Sequence, residues 1–184
     1  MISSSYRADW FGASDINYII GNKETKSFEK WWLEKIGLNR NDFLNEAMAA
    51  GTHYEHRILD SLHIEEKDRQ ILIPDLRLRV NLDGNTEDTI YEVKTYKKEP
   101  FKLPIRYKRQ VWVQMFASGL NKANIVCYRL TDDDYRNFFN EIDKNRLTIY
   151  PIEPNPQWIE QTFLPELRYL IECYKEGRLP RNRS

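Results

Sequence analysis

The sequence predicts an α/β fold in which helices flank a central mixed sheet. Apolar residues recur at helical spacing in the N-terminal third, and from Gln70 the spacing changes to the two-residue period of strands. Pro104 then opens a helix that Gly119 ends, and an apolar run over 122–130 predicts a buried strand. The predicted order is therefore helices, a hairpin-rich group of strands, a helix and a strand.

Three N-terminal helices are predicted from capping residues and glycine stops. The first two end at Gly21 and Gly37, and the third continues to about Leu62. The candidate caps are Ser14 or Asp15, Thr25 or Ser27, and Asn41 or Asp42.

The C-terminal part is predicted to hold a short helix, a strand and a long helix. The run Thr131-Asp132-Asp133-Asp134 is more typical of a helix cap than of a metal site. A late strand is predicted for 147–152, and Pro156 begins a long terminal helix that ends at Gly177.

The composition favours one domain over residues 1–184, with neither sign of charge in excess. The chain is 41% hydrophobic and carries 28 basic and 28 acidic residues, which argues against indiscriminate binding of polyanions. Basic residues nevertheless dominate the stretch 94–109, where Glu99 is the single acidic residue. Such a stretch attracts phosphates, although a solvated charged loop explains it equally well.

Cysteine usage and hydropathy favour a cytoplasmic protein. Cys127 and Cys173 are far apart in apolar surroundings, which is typical of free thiols in a reducing compartment. The sequence has no apolar run of membrane-spanning length and no signal peptide pattern. We therefore expect no membrane partner.

The stretch from Val80 to Thr95 carries the strongest chemical signal. An apolar run ends in Asp83-Gly84, a short polar turn follows, and a second strand carries Glu92-x-Lys94. Strand alternation places Glu92 and Lys94 on one face, and a hairpin brings Asp83 close to them. Because two converging carboxylates repel each other, a divalent cation that accepts oxygen ligands would remove the cost of placing them together. We expect Lys94 to face solvent there.

Two less specific interpretations stay open at this point. Glu-x-Lys on a strand is often only an ion pair on a solvated face. His53, His56 and His63 lie close to one stripe of the third helix, but no cysteine accompanies them, so we favour a polar, half-exposed face over a zinc site.

Five sequence blocks occur in the order expected for one nuclease family. They are Arg7 with Gly12-Ala13-Ser14-Asp15-Ile16, Met48-Ala49-Ala50-Gly51-Thr52-His53-Tyr54-Glu55, Leu82-Asp83-Gly84, Tyr91-Glu92-Val93-Lys94, and Tyr107-Lys108-Arg109-Gln110-Val111. Through these blocks the chain resembles the phage lambda exonuclease and YqaJ-type viral recombinase family. That family belongs to the restriction-endonuclease-like superfamily, with an αβββαβ core and a PD-(D/E)xK signature. Leu82 stands here in place of the signature's proline.

The resemblance implies a role for each matched residue. The implied metal ligands are Glu55, Asp83, Glu92 and the carbonyl of Val93. The implied catalytic residues are Glu55, Asp83, Glu92, Lys94 and Gln110, with Lys94 assisting the attacking water. The implied DNA contacts are Arg7, Ser14 and Tyr107, to which the basic stretch adds Lys97, Lys98 and Arg109.

The resemblance also implies a function. It is that of a Mg²⁺-dependent deoxyribonuclease, with Mn²⁺ able to substitute, acting as a 5′-to-3′ exonuclease on linear double-stranded DNA in phage-type recombination. Family members form trimeric rings and supply single strands to an annealing protein. The alternatives are an endonuclease of the same fold, a non-catalytic DNA-end-binding module, and an α/β domain whose Glu-x-Lys is only an ion pair.

Overall fold

The structure, a computed structural model, describes residues 8–39 and 46–183. Its helices are α1 (Ile16–Ile19), α2 (Lys26–Lys35), α3 (Glu46–Ser61), α4 (Ile105–Ser118), α5 (Asp132–Arg136), α6 (Pro156–Trp158) and α7 (Leu164–Glu176). A π-helical segment, Ile159–Phe163, joins α6 to α7, so a long helical stretch closes the chain as predicted.

The described residues form a five-stranded sheet in the order β1-β2-β3-β4-β5. The strands are β1 (Glu66–Ile73), β2 (Leu78–Asn85), β3 (Thr89–Tyr96), β4 (Lys122–Arg129) and β5 (Leu147–Ile152). β3 and β4 run parallel, joined by α4, and the other neighbours are antiparallel. The predicted α/β order with a mixed sheet is therefore confirmed.

β2 and β3 pair over a short length and then separate. Within these two fully described strands, the paired positions are Gly84 with Tyr91 and Asn85 with Ile90. Beyond them the Asp83 carboxylate accepts a hydrogen bond from the backbone N–H of Val93 (2.8 Å), in place of a regular ladder bond. The two strands thus enclose a gap at the position of Asp83 and Glu92.

Two apolar cores cover the two faces of the sheet. One contains Ile90 with residues of α1, α2, α4 and α7, and the other contains Val93 with residues of α3. The predicted alternation along β3 is therefore confirmed. Lys94 does not face solvent as expected, because its side chain is only 21% exposed and Glu92 beside it is 2% exposed.

Gly84 is needed for the close packing of β2 on α3. A Cβ atom at this position would lie 2.8 Å from a methyl carbon of Leu59 and 3.0 Å from one of Ile64. Real Cβ atoms do not approach so closely, so a larger residue would push α3 away from the sheet.

The capping predictions are confirmed in part. Thr25 caps α2 by accepting from the N–H of Phe28 (3.1 Å), and Thr131 caps α5. At the first helix, a 3₁₀ turn over Ala13–Asp15, capped by Gly12, precedes α1. Asp15 occupies the N-cap position of α1 as predicted, but its side chain makes no capping bond there. The predicted start of the third helix, Asn41 or Asp42, lies outside the described residues.

Three smaller predictions also have an outcome. Cys127 and Cys173 are buried and free, as expected. His63 follows the end of α3 in a left-handed conformation, so the single histidine stripe is wrong. Across the described ranges, every helix is too short or too polar to cross a membrane.

Candidate functional site

A cavity of about 260 Å³ opens at the gap between β2 and β3. Its lining residues come from the turn before α1, from α3, from α4 and from both strands. They are Gly12, Ala13, Ser14, Glu55, Arg79, Asn81, Asp83, Glu92, Val93, Lys94 and Gln110. The structure therefore brings together seven of the residues singled out from the sequence: Ser14, Glu55, Asp83, Glu92, Val93, Lys94 and Gln110.

Each functional side chain reaches the cavity from a rigid element. Glu92 and Lys94 alternate onto the α4 side of β3, where Gln110 meets them from the first half of α4. Glu55 comes from the middle of α3, and Asp83 from β2 where the strands separate. Because strands and long helices fix their side chains more precisely than loops do, the spacing of these groups is preset by the fold.

The Glu92 carboxylate is the best-bonded group in the cavity. Its Oε1 accepts from Lys94 Nζ (2.6 Å) and from the amide of Gln110 (2.7 Å). Its Oε2 accepts from the amide of Gln114 (2.6 Å). A buried carboxylate bonded by an ammonium and two amide donors is fixed in direction.

Lys94 is held as a cation by the carboxylates around it. Its ammonium contacts Glu92 and donates to the carbonyl oxygen of the Gln110 amide (3.0 Å), and it lies 5.0 Å from the ring centre of Tyr107. Burial acts to lower the pKa of Lys94, but Glu92 and Asp83 outweigh it and raise the pKa above its ordinary value. The group is therefore a fixed positive charge and a hydrogen-bond donor at neutral pH.

The other two carboxylates lack a comparable counter-charge. Burial, reinforced by the charges of Glu92 and Asp68, raises the pKa of Glu55 to about 7. Burial together with Glu92 and Glu55 raises the pKa of Asp83 well above its ordinary value. Three carboxylates and one ammonium leave an excess of negative charge when all are ionised.

The donor set fits a hard divalent cation. Asp83, Glu92, Glu55 and the carbonyl of Val93 offer oxygen atoms, which Mg²⁺ and Mn²⁺ prefer over softer donors. Asp83 uses Oδ2 for the N–H of Val93, and no other hydrogen bond among the described residues takes up its Oδ1. A cation placed among these oxygens would offset the charge that raises both pKa values.

Glu55 also belongs to a second group of ligand-type side chains. Donor atoms of Glu55, His56 and Asp68 lie within 4.8 Å of one another, on the exposed side of α3. His56 Nε2 is 2.8 Å from a carboxylate oxygen of Asp68, and both side chains are about half exposed. The group includes one imidazole and no thiolate. The preference for a polar helix face over zinc stays a prediction.

Comparison with solved structures gives two close matches to the fold. The alkaline exonuclease from Laribacter hongkongensis aligns with a TM-score of 0.69 at 16% identity, over 95% of this chain and 92% of that one. A phage-related exonuclease from Haemophilus somnus 129PT aligns with a TM-score of 0.66 at 12% identity, over 91% of this chain and 94% of that one. The chain has the fold of these exonucleases. The fold implied by the sequence resemblance is thereby confirmed.

The comparisons by sequence find no relative. No protein-family model matches the chain, and a search of curated proteins also gives no match. The likeness to the two exonucleases is therefore a likeness of fold.

The cavity includes a turn that a largely buried network of hydrogen bonds and one ion pair holds in place. Both oxygens of Asp15 are used, one by the indole N–H of Trp31 (3.0 Å) and the other by the N–H of Gly12 (2.8 Å) and the ammonium of Lys35 (2.6 Å). Ser14 is exposed in the middle of this turn and lines the cavity. Arg7, predicted to act with Ser14, lies outside the described residues.

The remaining predicted DNA contacts lie outside the cavity lining. Lys97 forms an ion pair with Asp132 and lies over the ring of Tyr135. Lys98 is exposed, and Tyr107 contacts Lys94 from α4. Arg109 is half buried, with its guanidinium 6.0 Å from the ring centre of Trp158.

Arg79 and Gln114 are among the residues near the cavity that were not singled out as site residues. Arg79 lines the cavity from β2, and the buried amide of Gln114 on α4 donates a hydrogen bond to Oε2 of Glu92. Gln114 follows Gln110 by four residues, so helical spacing puts both on one face of α4, and this signal could have found it. Arg79 offered none, because it lies among alternating basic and apolar residues of a strand.

Proposed function

We propose that the protein is a metal-dependent deoxyribonuclease of the PD-(D/E)xK type, using Mg²⁺ with Mn²⁺ able to substitute. The observation that carries this proposal is the convergence of Glu55, Asp83 and Glu92 with Lys94 in one cavity. Such a set is costly without a cation and is suited to phosphodiester hydrolysis with one. The shared fold with two exonucleases supports the same activity.

The residues divide the chemistry between them. Asp83, Glu92, Glu55 and the carbonyl of Val93 would hold the cation, which when bound supplies an activated water and charge for the non-bridging phosphate oxygens. Lys94, protonated and held by Glu92, would orient that water or offset charge on the phosphate. Gln110 bonds both Lys94 and Glu92 and so fixes their relative position.

We further propose that the enzyme is a 5′-to-3′ exonuclease on linear double-stranded DNA. Ser14 and Arg79 line the same cavity as the carboxylates, and a hydroxyl and a guanidinium are suited to a phosphate group. The Laribacter hongkongensis exonuclease has been determined in complex with dAMP, a nucleotide of the kind that stepwise digestion releases. Arg7, Tyr107, Lys97, Lys98 and Arg109 stay proposed DNA contacts.

The proposed biological role is phage-type recombination. The family resemblance and the phage-related neighbour support it. In this role the enzyme would produce single strands for an annealing protein, and a ring of three copies would keep it on its DNA.

Digestion of DNA tests the proposal directly. The substrates are a 5′-phosphorylated linear duplex and a closed circular plasmid, each with Mg²⁺ or EDTA. The test variant is D83N, because asparagine keeps an acceptor for the Val93 N–H while removing the charge. The matched control is D88N, which makes the same change in the exposed turn of the same hairpin.

We expect the protein to digest the linear duplex and not the circle, and to require the metal. Digestion should be at least 100-fold slower in D83N and as fast as in the wild type in D88N. This magnitude is about that of removing one preorganised charged group. Cutting of the circle would identify an endonuclease. No digestion of either substrate by the wild type would contradict the enzyme proposal and favour a DNA-end-binding module.

A further inference from the structure

Gln114 on α4 is fully buried behind the Glu92 carboxylate, although glutamine is mostly an exposed residue type. It follows Gln110 by one helical turn, so both side chains leave α4 on the same face. Gln110 donates to Oε1 of Glu92, and Gln114 donates to Oε2. The two amides thus hold the two oxygens of one carboxylate.

The contacts of Gln114 fix the orientation of its amide. The NH₂ group also donates to the backbone carbonyl of Asn81 (3.2 Å). A reversed amide would place its oxygen against the Glu92 carboxylate and the Asn81 carbonyl, which are both acceptors. As oriented, Oε1 is buried and has no donor among the described residues.

Stability alone does not account for a glutamine here. A buried carbonyl oxygen without a donor destabilises a fold, and an apolar side chain of similar size would avoid that penalty. The gain lies in what the NH₂ group holds. It joins the backbone of β2 at Asn81 to the side chain of Glu92 on β3, across the gap where the two strands have separated.

We propose that Gln114 is a positioning residue: it fixes the direction of the Glu92 carboxylate across this gap and thereby sets the affinity of the site for a divalent cation. The inference rests on the proposed function, since it takes Glu92 as a ligand. Oε1 of Glu92 already accepts from Lys94 and Gln110, whereas Oε2 accepts from Gln114 alone among the described residues. Oε2 is therefore the oxygen with a lone pair left for a cation.

Binding of Mn²⁺ to the full chain without DNA tests this role separately from catalysis. Isothermal titration compares the wild type with Q114M, which keeps the length of the side chain and removes the donor. We expect Q114M to raise the Kd for Mn²⁺ by about 10- to 100-fold, as loss of a ligand-orienting partner typically does. The matched control is Q161M, the same change at an exposed glutamine, which should leave the Kd unchanged.

The outcomes separate the two proposals. If the wild type binds Mn²⁺ and folded Q114M binds it with the same Kd, the role of Gln114 is refuted while the proposed function stands. If the wild type binds no Mn²⁺, or D83N binds it equally well, the proposed function fails and this role fails with it.

A second variant keeps the test valid should Q114M not fold. Q114L also removes the donor but has a shorter, branched side chain, and we expect its Kd for Mn²⁺ to rise by the same 10- to 100-fold. A folded Q114L variant with the Kd of the wild type would refute the positioning role.

Discussion

Replacing Lys94 with methionine should destabilise the protein strongly, and not only inactivate it. The Lys94 ammonium lies 2.6 Å from Oε1 of Glu92, whose side chain is 3% exposed. K94M therefore leaves a buried carboxylate without its counter-charge. Removing one partner of a buried ion pair costs about 3–5 kcal/mol. Since Gln110 and Gln114 still donate to Glu92, the lower end applies, about 3 kcal/mol.

Urea unfolding followed by tryptophan fluorescence, in EDTA, measures this loss. For a chain of 184 residues, about 3 kcal/mol corresponds to a fall in Tm of roughly 6–12 °C. The control is K98M, at an exposed lysine, which should stay within about 0.5 kcal/mol of the wild type.

A double variant shows whether the cost comes from the Glu92–Lys94 contact. In E92Q/K94M no charge is left buried, so at least half of the stability lost in K94M should return. A K94M variant as stable as K98M would refute the reasoning. So would a double variant whose loss of unfolding free energy equals the sum of the losses in E92Q and K94M.

Three further predictions concern the carboxylates and the scaffold. The raised pKa values of Glu55 and Asp83 mean that the folded state binds more protons than the unfolded state between about pH 5 and 7. In EDTA the Tm should therefore fall as the pH rises through this window, and it should fall less in E55Q than in the wild type. Equal dependence of Tm on pH in the two proteins would contradict the raised pKa of Glu55. G84A should lower the free energy of unfolding in urea by about 1–3 kcal/mol, because its Cβ would overpack the contact between β2 and α3. The control is G51A within α3, where an added Cβ would lie at an ordinary 3.5 Å from Thr95 Oγ1, so the free energy of unfolding should rise by about 0.5–1 kcal/mol. A G84A variant as stable as the wild type would contradict the packing argument. D134A should lose about 3–5 kcal/mol, because it removes the buried partner of Arg146, while its Kd for Mn²⁺ should match the wild type; a weaker Kd would connect this pair to the site.

The order of elements and most of the cavity could be predicted because their signals are local. Two-residue alternation places Glu92 and Lys94 on one face, and a short turn returns Asp83 beside them. Pro104 and Gly119 mark the ends of α4 clearly enough to place Gln110. The roles of these residues stay predictions until the DNA and Mn²⁺ experiments are done.

The burial of individual side chains, and their contacts with elements distant in the sequence, could not be predicted in the same way. Alternation gives the face of a strand but not how much of that face another element covers, so Lys94 was expected in solvent. The network of Asp15 with Trp31 and Lys35 joins elements about 20 residues apart, and this long-range bonding occupies the side chain that was expected to cap the first helix. Arg79 lines the cavity from a part of β2 that does not pair with β3, and the sequence does not show where this pairing stops.

The bonding of Glu92 has a consequence for the evolution of related sequences. Its partners Lys94, Gln110 and Gln114 serve the interior of the protein as well as the cavity. A lineage released from selection for cleavage could not discard Lys94 alone without leaving a charge in its interior. We therefore expect inactive descendants of this fold to change Glu92 and Lys94 together, toward a neutral pair, so that paired substitution at these positions marks lost activity more reliably than either change alone.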